Sequence, residues 1–203
     1  MRAVVTADIV NSTKISPETE QRLLRELAEI LRPFSVDFFR GDSFQVYFDN
    51  PEEALILALR CRAMAVGLDA GGEVTDVRAS LGLGEVQEPI DILGQAKGSA
   101  FVLSGRSIDA IQKTETRLAI VSENPLANVG LEVIANYLDA IWHDMTAKQA
   151  GVIAELLRGA AQQKVAKELN KSKSTISQLA SAGRWPEIER LLQQYENIIN
   201  LIV

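Results

Sequence analysis

Apolar residues in the first half of the chain follow two patterns that predict β-strands. Residues 2–9 form a short, β-branched apolar run, which is typical of a buried strand. Residues 77–84 alternate between apolar residues and polar or small ones, which predicts a second strand. Two further runs, 36–39 and 44–48, flank a Gly-Asp turn and predict a β-hairpin.

Helical signals separate these strands. Ser16 is a helix N-cap followed by a first-turn proline, and Pro33 ends the leucine-rich helix that follows. Asn50 precedes a second helix, which Gly71 and Gly72 close. The resulting order, βαββαβ, predicts an α+β, ferredoxin-like sandwich with helices on one face of an antiparallel sheet. Later patterns predict a helix over 99–112, a strand over 117–121 and a helix over about 125–142.

Beyond residue 145 the pattern is only helical. Residues 146–159 form an amphipathic helix that Thr146 caps and Gly159 ends. Two short helices follow, joined at Asn170, which suits a turn position with positive φ. Their apolar residues have the spacing of a helix-turn-helix core: Val165, Ala166, Leu169, Ile176 and Leu179. A last apolar helix, 187–203, either forms a dimer contact or packs on its own domain.

The second short helix is the candidate DNA-recognition helix. Ser172 caps it, and its first turn is expected to be exposed. The side chains predicted to face a major groove are Lys173, Ser174, Thr175, Ser177 and Gln178. Lys164 and Lys167 are expected to meet phosphates. The segment resembles bacterial helix-turn-helix regulators, although Lys171 stands where an apolar residue is usual. The alternative is a helical hairpin that only packs or dimerises.

Composition narrows the classes of protein. The 203 residues are 47% hydrophobic and 24% charged, which is typical of a soluble globular protein. No apolar run approaches the roughly 18–20 residues that span a bilayer, so no membrane association is expected. An Asp at residue 8 interrupts any signal-peptide pattern, and Cys61 has no second cysteine to pair with. These features predict a cytoplasmic location. With His143 as the only histidine, zinc-hydrolase and thiol-protease functions are disfavoured.

Charge divides the chain into two parts. Residues 1–143 carry 13 Lys and Arg against 21 Asp and Glu, whereas residues 144–203 carry 8 against 6. The first part is therefore acidic and the second slightly basic, within a net charge of −6. A basic unit attached to an acidic one fits a nucleic-acid-binding module. We predict two domains, 1–143 and 144–203.

Two aspartates are candidates for metal binding. Asp8 ends the first predicted strand and Asp42 lies in the hairpin turn. In a βαββαβ fold these strands are neighbours, so both carboxylates are expected at one sheet edge. Two close carboxylates repel each other, and sharing a divalent cation such as Mg²⁺ relieves that repulsion. The alternative is structural, because a turn aspartate commonly caps backbone N–H groups.

Three segments resemble the class III nucleotidyl cyclase catalytic domain: 8–12, 40–44 and 78–85. The resemblance implies metal binding at Asp8 and Asp42, and purine recognition near Asp91. Lys97, in a glycine-rich loop, is a candidate phosphate contact. The chain departs from the family where the base-reading lysine and the transition-state asparagine and arginine belong. Those positions hold Phe38, Gly98 and Val102, so efficient cyclase activity is not expected.

A second resemblance covers nearly the whole chain. Residues 3–12, 39–44 and 98–101 look like the SatD family, a bacterial group with a cyclase-like N-terminal region often followed by a helix-turn-helix. This resemblance implies two domains and a cytoplasmic protein, and it implies no particular activity.

Three hypotheses follow. The leading one is a DNA-binding transcriptional regulator, expected to be a homodimer, whose N-terminal domain senses a ligand such as a nucleotide with Mg²⁺ or serves for dimerisation. The rival is a metal-dependent nucleotidyl-transfer enzyme or nucleotide-binding protein that uses Asp8 and Asp42. In the third, the N-terminal domain is a dimerisation scaffold with structural aspartates.

Overall fold

Five strands pair into a mixed sheet in the computed structural model, which describes residues 1–39, 41–68, 71–90 and 92–202. In chain order the strands are β1 (Arg2–Ile9), β2 (Ser35–Phe39), β3 (Ser43–Phe48), β4 (Val77–Gly84) and β5 (Leu118–Ser122). Their order across the sheet is β2-β3-β1-β4-β5. The pairings β2–β3, β3–β1 and β1–β4 are antiparallel, and β4 pairs with β5 in parallel.

Eight α-helices complete the part of the chain that the structure describes. Four are interleaved with the strands: α1 (Pro17–Leu31), α2 (Glu52–Gly67), α3 (Ser99–Ile111) and α4 (Pro125–His143). Four follow the last strand: α5 (Ala147–Leu157), α6 (Gln162–Glu168), α7 (Lys173–Ala182) and α8 (Trp185–Ile202). The predicted α+β class is therefore confirmed, and the predicted strands and helices are found within a few residues of their expected positions.

Helices cover both faces of the sheet, whereas the sequence predicts them on one. Successive side chains of a strand point to opposite faces. Val5 of β1 belongs to an apolar cluster with Leu23 of α1 and Leu55 of α2. The next residue, Thr6, donates its hydroxyl to Ser104 of α3 at 2.9 Å, so α3 lies on the other face. β1 shows no alternation of apolar and polar residues because both of its faces are buried.

The helices that follow the sheet pack directly on the helices that cover it. α2 and α5 approach closely, since a Cβ on Gly67 would lie 3.3 Å from the backbone nitrogen of Gly151. Tyr195 of α8 is fully buried and donates its hydroxyl to the carbonyl oxygen of Pro51 at 2.8 Å. α8 therefore packs mainly on α4 and α2, within residues 1–143, whereas the sequence analysis expected either a dimer contact or packing on its own domain. A continuous apolar cluster crosses the boundary after His143, and the division into two domains stays a prediction.

A buried ion-pair network joins α2, the start of β4 and α4. Arg62 is 1% exposed and donates to both carboxylate oxygens of Asp76, at 3.2 and 2.9 Å. It also donates to Asp139 at 2.8 Å. Arg117 donates to Asp76 from the edge of this network at 3.0 Å. The Arg62 guanidinium lies 5.8 Å from the ring centroid of Trp142, a cation–π distance.

The single cysteine is a core residue of α2. Burial raises the pKa of the Cys61 thiol to about 12, so the thiol stays protonated near neutral pH. It is therefore a packing group and not a nucleophile. Among the described residues, no helix combines the length and the apolar character needed to cross a bilayer.

Candidate functional site

Asp8 and Asp42 lie at the same edge of the sheet. Asp8 is the penultimate residue of β1, and Asp42 lies in the turn between β2 and β3. The backbone N–H of Ile9 donates to the carbonyl oxygen of Asp42 at 3.1 Å, and Asp8 is paired in register with Ser43. The structure therefore brings together the two aspartates that the sequence analysis placed at one edge.

Asp8 is held by an arginine. Nη1 of Arg78 lies 3.0 and 3.3 Å from its two carboxylate oxygens, and Nε2 of Gln112 lies 3.4 Å from one of them. Burial raises the pKa of the Asp8 carboxyl above its ordinary value of 3.8; Arg78 opposes that shift, and the charge of Asp42 adds to it. The folded carboxyl therefore binds its proton more tightly than the unfolded one. This contribution favours the folded state below pH 3.8 and is lost as the pH rises through the raised value.

The two carboxylates are already occupied by donors of this chain. Asp42 accepts from the hydroxyl of Ser12 at 2.6 Å and from that of Ser43 at 3.2 Å, while Arg78 neutralises Asp8. A Mg²⁺ ion shared by the aspartates would have to displace these donors. The described residues hold no group of three or more His, Cys, Asp or Glu suited to a metal ion. As arranged, the donors fit an internal ion pair better than a resident Mg²⁺. Binding of Mg²⁺ with a nucleotide at Asp8 and Asp42 stays a prediction.

Polar side chains continue from this edge beneath α3. The amide of Gln45 donates to the hydroxyl of Thr6 at 3.0 Å, and Thr6 donates onward to Ser104. Ser80 is completely buried beside them, and its hydroxyl has no hydrogen-bond partner among the described residues. Because α3 packs on β1 and β4, Thr6 and Ser80 help to orient that helix on the sheet.

The other two predicted nucleotide-binding residues do not join the aspartates. Lys97 is exposed in the segment before α3, and its carbonyl oxygen accepts from the backbone N–H of Gln87 at 2.8 Å. Its side chain makes no hydrogen bond or ion pair within the described ranges, so it does not contact Asp8 or Asp42. Asp91 lies outside the described residues.

The turn between α6 and α7 closes as its sequence predicts. Asn170 has a φ of 50°, in the left-handed region. Its N–H donates to the carbonyl oxygen of Lys167 at 3.2 Å, and the N–H of Lys171 donates to that of Ala166 at 2.9 Å. These two bonds form a Schellman motif, which satisfies the last carbonyl groups of α6. The turn then leads straight to Ser172, which caps α7 by accepting from the N–H of Thr175 at 3.1 Å.

α7 has a buried side and an exposed side. Ile176 and Ala180 are buried, together with Val165 and Ala166 of α6. The predicted base-reading residues stand on the exposed side, apart from the half-buried Thr175: Lys173, Ser174, Ser177 and Gln178. Ser174 and Thr175 are hydrogen-bonded to the Ser172 hydroxyl, both at 2.8 Å, so they support the cap. The side chains of Ser177 and Gln178 make no hydrogen bond within the described ranges and are free to meet a ligand.

Lysines surround the α6–α7 turn. Lys167, Lys171 and Lys173 line a shallow cavity of about 270 Å³ with residues of α6. Lys164 is exposed and lies 3.7 Å from Glu168, an ion pair one helical turn apart. Exposed pairs of this kind contribute about 0–1 kcal/mol, so Lys164 can exchange its partner for a phosphate at little cost. The turn is a basic patch on a chain of net charge −6.

The sequence did not reveal the side chains that hold the Asp8 carboxylate. Arg78 and Gln112 are 70 and 104 residues away from it along the chain. It also missed Arg62, although a charged residue inside the apolar pattern of α2 was a usable signal that a buried partner exists.

Comparisons with known proteins show likeness only among solved structures. No family model matches this chain, and neither does any curated protein. An active GGEEF domain of a diguanylate cyclase from Vibrio cholerae matches with 14% identity and a TM-score of 0.46, over 61% of this chain and 84% of that one. A guanylyl cyclase matches with 14% identity and a TM-score of 0.38, over 54% of this chain and 69% of its own. A bacterial light-regulated adenylyl cyclase matches with 12% identity and a TM-score of 0.39, over 59% and 74%. Likeness at this level carries no argument about activity.

Proposed function

We propose that this chain is a DNA-binding transcriptional regulator of the SatD type, which contacts its operator through α6 and α7. The observation that carries the proposal is the exposed side of α7, where Lys173, Ser177 and Gln178 stand together beside the lysine-lined turn. An exposed helix of this kind fits the major groove, whose base edges side-chain amides and amines can read. The lysines of the turn supply phosphate contacts, which position the helix without reading sequence.

Selection of sheared genomic DNA tests the proposal. The purified chain is expected to enrich a motif at about 0.15 M salt, where non-specific phosphate binding is weakened. The selection is run both without and with a nucleoside triphosphate and Mg²⁺. Gln178→Ala is expected to weaken binding to the motif by about 5- to 150-fold, the cost of one base contact. Lys167→Ala is expected to weaken binding to all DNA sequences to a similar extent. It is also expected to reduce the slope of the logarithm of the binding constant against the logarithm of the salt concentration by about one, because one phosphate contact is lost.

Gln21→Ala serves as the matched control, because Gln21 is an exposed glutamine of α1. If the Gln178→Ala variant bound the enriched motif as tightly as the unchanged chain does, this would contradict the assignment of α7 as the DNA-recognition helix. No enrichment in either condition would overturn the regulator proposal. In that case the nucleotidyl-transfer alternative would be supported if the unchanged chain released pyrophosphate from a nucleoside triphosphate and the Asp8→Asn variant did not.

We further propose that the regulator is a homodimer paired through α4. Leu126, Val129, Val133 and Tyr137 follow at helical spacing on α4, with exposures of 83, 64, 62 and 39%. Gly130 meets Ile198 of α8 on the adjoining side, since a Cβ on Gly130 would lie 2.9 Å from the Ile198 side chain. α4 itself carries no lysine or arginine, and the guanidinium of Arg184 lies 5.2 Å from the ring centroid of Tyr137 at one end of these exposed apolar residues. A second copy of this chain fits best, because the exposed apolar residues of two α4 helices can pair about a two-fold axis. A symmetric operator requires a protein with that symmetry.

Val133→Glu is expected to convert the dimer to a monomer. Burying a carboxylate at the centre of an apolar helix pair is strongly unfavourable. Light scattering on the eluting protein should give twice 22.2 kDa for the unchanged chain and 22.2 kDa for the variant. Val102→Glu is the matched control, since Val102 is an exposed valine of α3. A monomeric unchanged chain, or a Val133→Glu variant that stays dimeric, would exclude this interface.

A further inference from the structure

A cavity of about 590 Å³ lies where α4 turns into α5. It is bounded by the end of α2, by the segment before β4 and by the α4–α5 junction. Leu68 and Met145 contribute apolar surface to it. Its size falls within the range of about 300–1,000 Å³ that is common for small-molecule sites.

The two acidic residues that line this cavity are already satisfied. Asp76 accepts from Arg62, Arg117 and the backbone N–H of Val77. Glu73 accepts from the backbone N–H of Ser16 at 2.8 Å and from its hydroxyl at 3.1 Å. The Thr19 hydroxyl and then these Ser16 contacts lower the pKa of Glu73, which therefore remains ionised and bound to α1. Asp76 therefore has no acceptor site left for a ligand donor, and Glu73 is held against the start of α1.

The other charged or imidazole side chains that line the cavity carry N–H donors: Arg117, His143 and Lys148. The side chains of Lys148 and His143 form no hydrogen bond or ion pair in the part of the chain that the structure describes. Arg117 uses one side-chain nitrogen on Asp76, which leaves other N–H groups of its guanidinium available. Trp142 also lines the cavity, but its indole nitrogen is itself buried and, among the described residues, has no acceptor.

We infer that this cavity binds a small organic anion that has an apolar body and a carboxylate or phosphate group. Arg117, His143 and Lys148 would receive the anionic group, and the apolar lining would receive the body. Arg117 and Lys148 have no acceptor atom, so they favour a ligand that presents acceptors and negative charge. A bound anion would join the segments before β4 and β5 to the first turn of α5. Because α5 packs against α6 and α7, such a ligand is placed to act on the helices that the proposed function assigns to DNA contact, and this last step rests on that proposal.

The only histidine of the chain makes the test specific. The ring signals of His143 are observed by NMR while 2-naphthoate, naphthyl phosphate or the neutral 2-naphthamide is added to the full chain. We expect a saturable shift with at least one of the two anions and none with the amide. The anion that binds more tightly indicates whether the cavity prefers a carboxylate or a phosphate group. Lys148→Gln is expected to weaken anion binding about twofold to fivefold, the effect of one partly exposed charge.

Lys113→Gln is the matched control, because it makes the same change at an exposed site after α3. Lys148 is exposed, so its variant is expected to fold, which an unchanged melting temperature would verify. Equal binding of the amide, the absence of a saturable His143 shift with both anions, or unchanged affinity in Lys148→Gln would each overturn the proposal. These readouts do not involve DNA, so their outcome is separate from that of the proposed function.

Discussion

Gly82→Ala is expected to destabilise the folded chain by about 3 kcal/mol or more, at the upper end of what overpacking costs. A Cβ on Gly82 of β4 would lie 2.1 Å from the carbonyl oxygen of Ala100 and 2.6 Å from the backbone nitrogen of Ser104. Both are backbone atoms of α3, so no side-chain rotation can relieve the clash. The whole helix would have to move off the sheet, breaking the Thr6–Ser104 hydrogen bond with it. Urea unfolding would measure the loss.

Gly105→Ala provides the matched control on α3 itself. A Cβ on Gly105 meets nothing within 4 Å, so the same chemical change creates no clash there. It is expected to stabilise the chain by about 0.5–1 kcal/mol, because alanine restricts the unfolded chain and favours the helix. A Gly82→Ala variant as stable as the unchanged chain would contradict the close packing of α3 on β4.

Arg62→Met is expected to cost about 3–5 kcal/mol, the typical result of removing one partner from a buried ion pair. The variant leaves Asp76 and Asp139 without their main cation, and Asp76 is only 1% exposed. Methionine retains the packing of the arginine stem, so the loss comes from the unpaired carboxylates. Arg117 still contacts Asp76, which limits the damage to part of the network. Such a loss is a large share of the 5–15 kcal/mol that holds typical domains folded.

Arg60→Met separates this effect from a general effect of arginine on α2. Arg60 lies two residues before Arg62, and its Nε is buried with no hydrogen-bond partner in the described part of the chain. Burial, the first cause, and then the nearby Arg158 lower the pKa of Arg60, so its charge is not favoured where it stands. Its removal is expected to change the free energy of unfolding by less than about 1 kcal/mol. Equal losses in the two variants would refute the network as a specific stabilising feature.

The proposals concern different surfaces of the molecule and can fail separately. The exposed side of α7 supports the DNA-binding proposal, and the exposed apolar residues of α4 support the dimer proposal. The cavity at the α4–α5 junction supports the proposed anion site. Variants at Gln178, Val133 and Lys148 change exposed side chains, so each is expected to leave the fold intact. A dimer that binds DNA and responds to an organic anion would unite the three proposals in one regulator.

Much of the secondary structure was determined by the sequence alone. The caps at Ser16, Thr146 and Ser172 are observed as predicted, and Asn170 has the expected positive φ. The hairpin between β2 and β3 is also found at its predicted turn. These features depend on residues a few positions apart, so local propensity and hydrogen bonding suffice to predict them.

Only the tertiary structure decided which distant groups meet. The order of the strands in space decides three of these features. They are the pairing of Asp8 with Arg78, the cluster of Arg62 with Asp76 and Asp139, and the position of α3 on the second face of the sheet. The donors around the α4–α5 cavity likewise come from separate segments. A charged residue in a sequence shows that it needs a partner or solvent, but the fold determines which partner it finds and therefore what chemistry remains available.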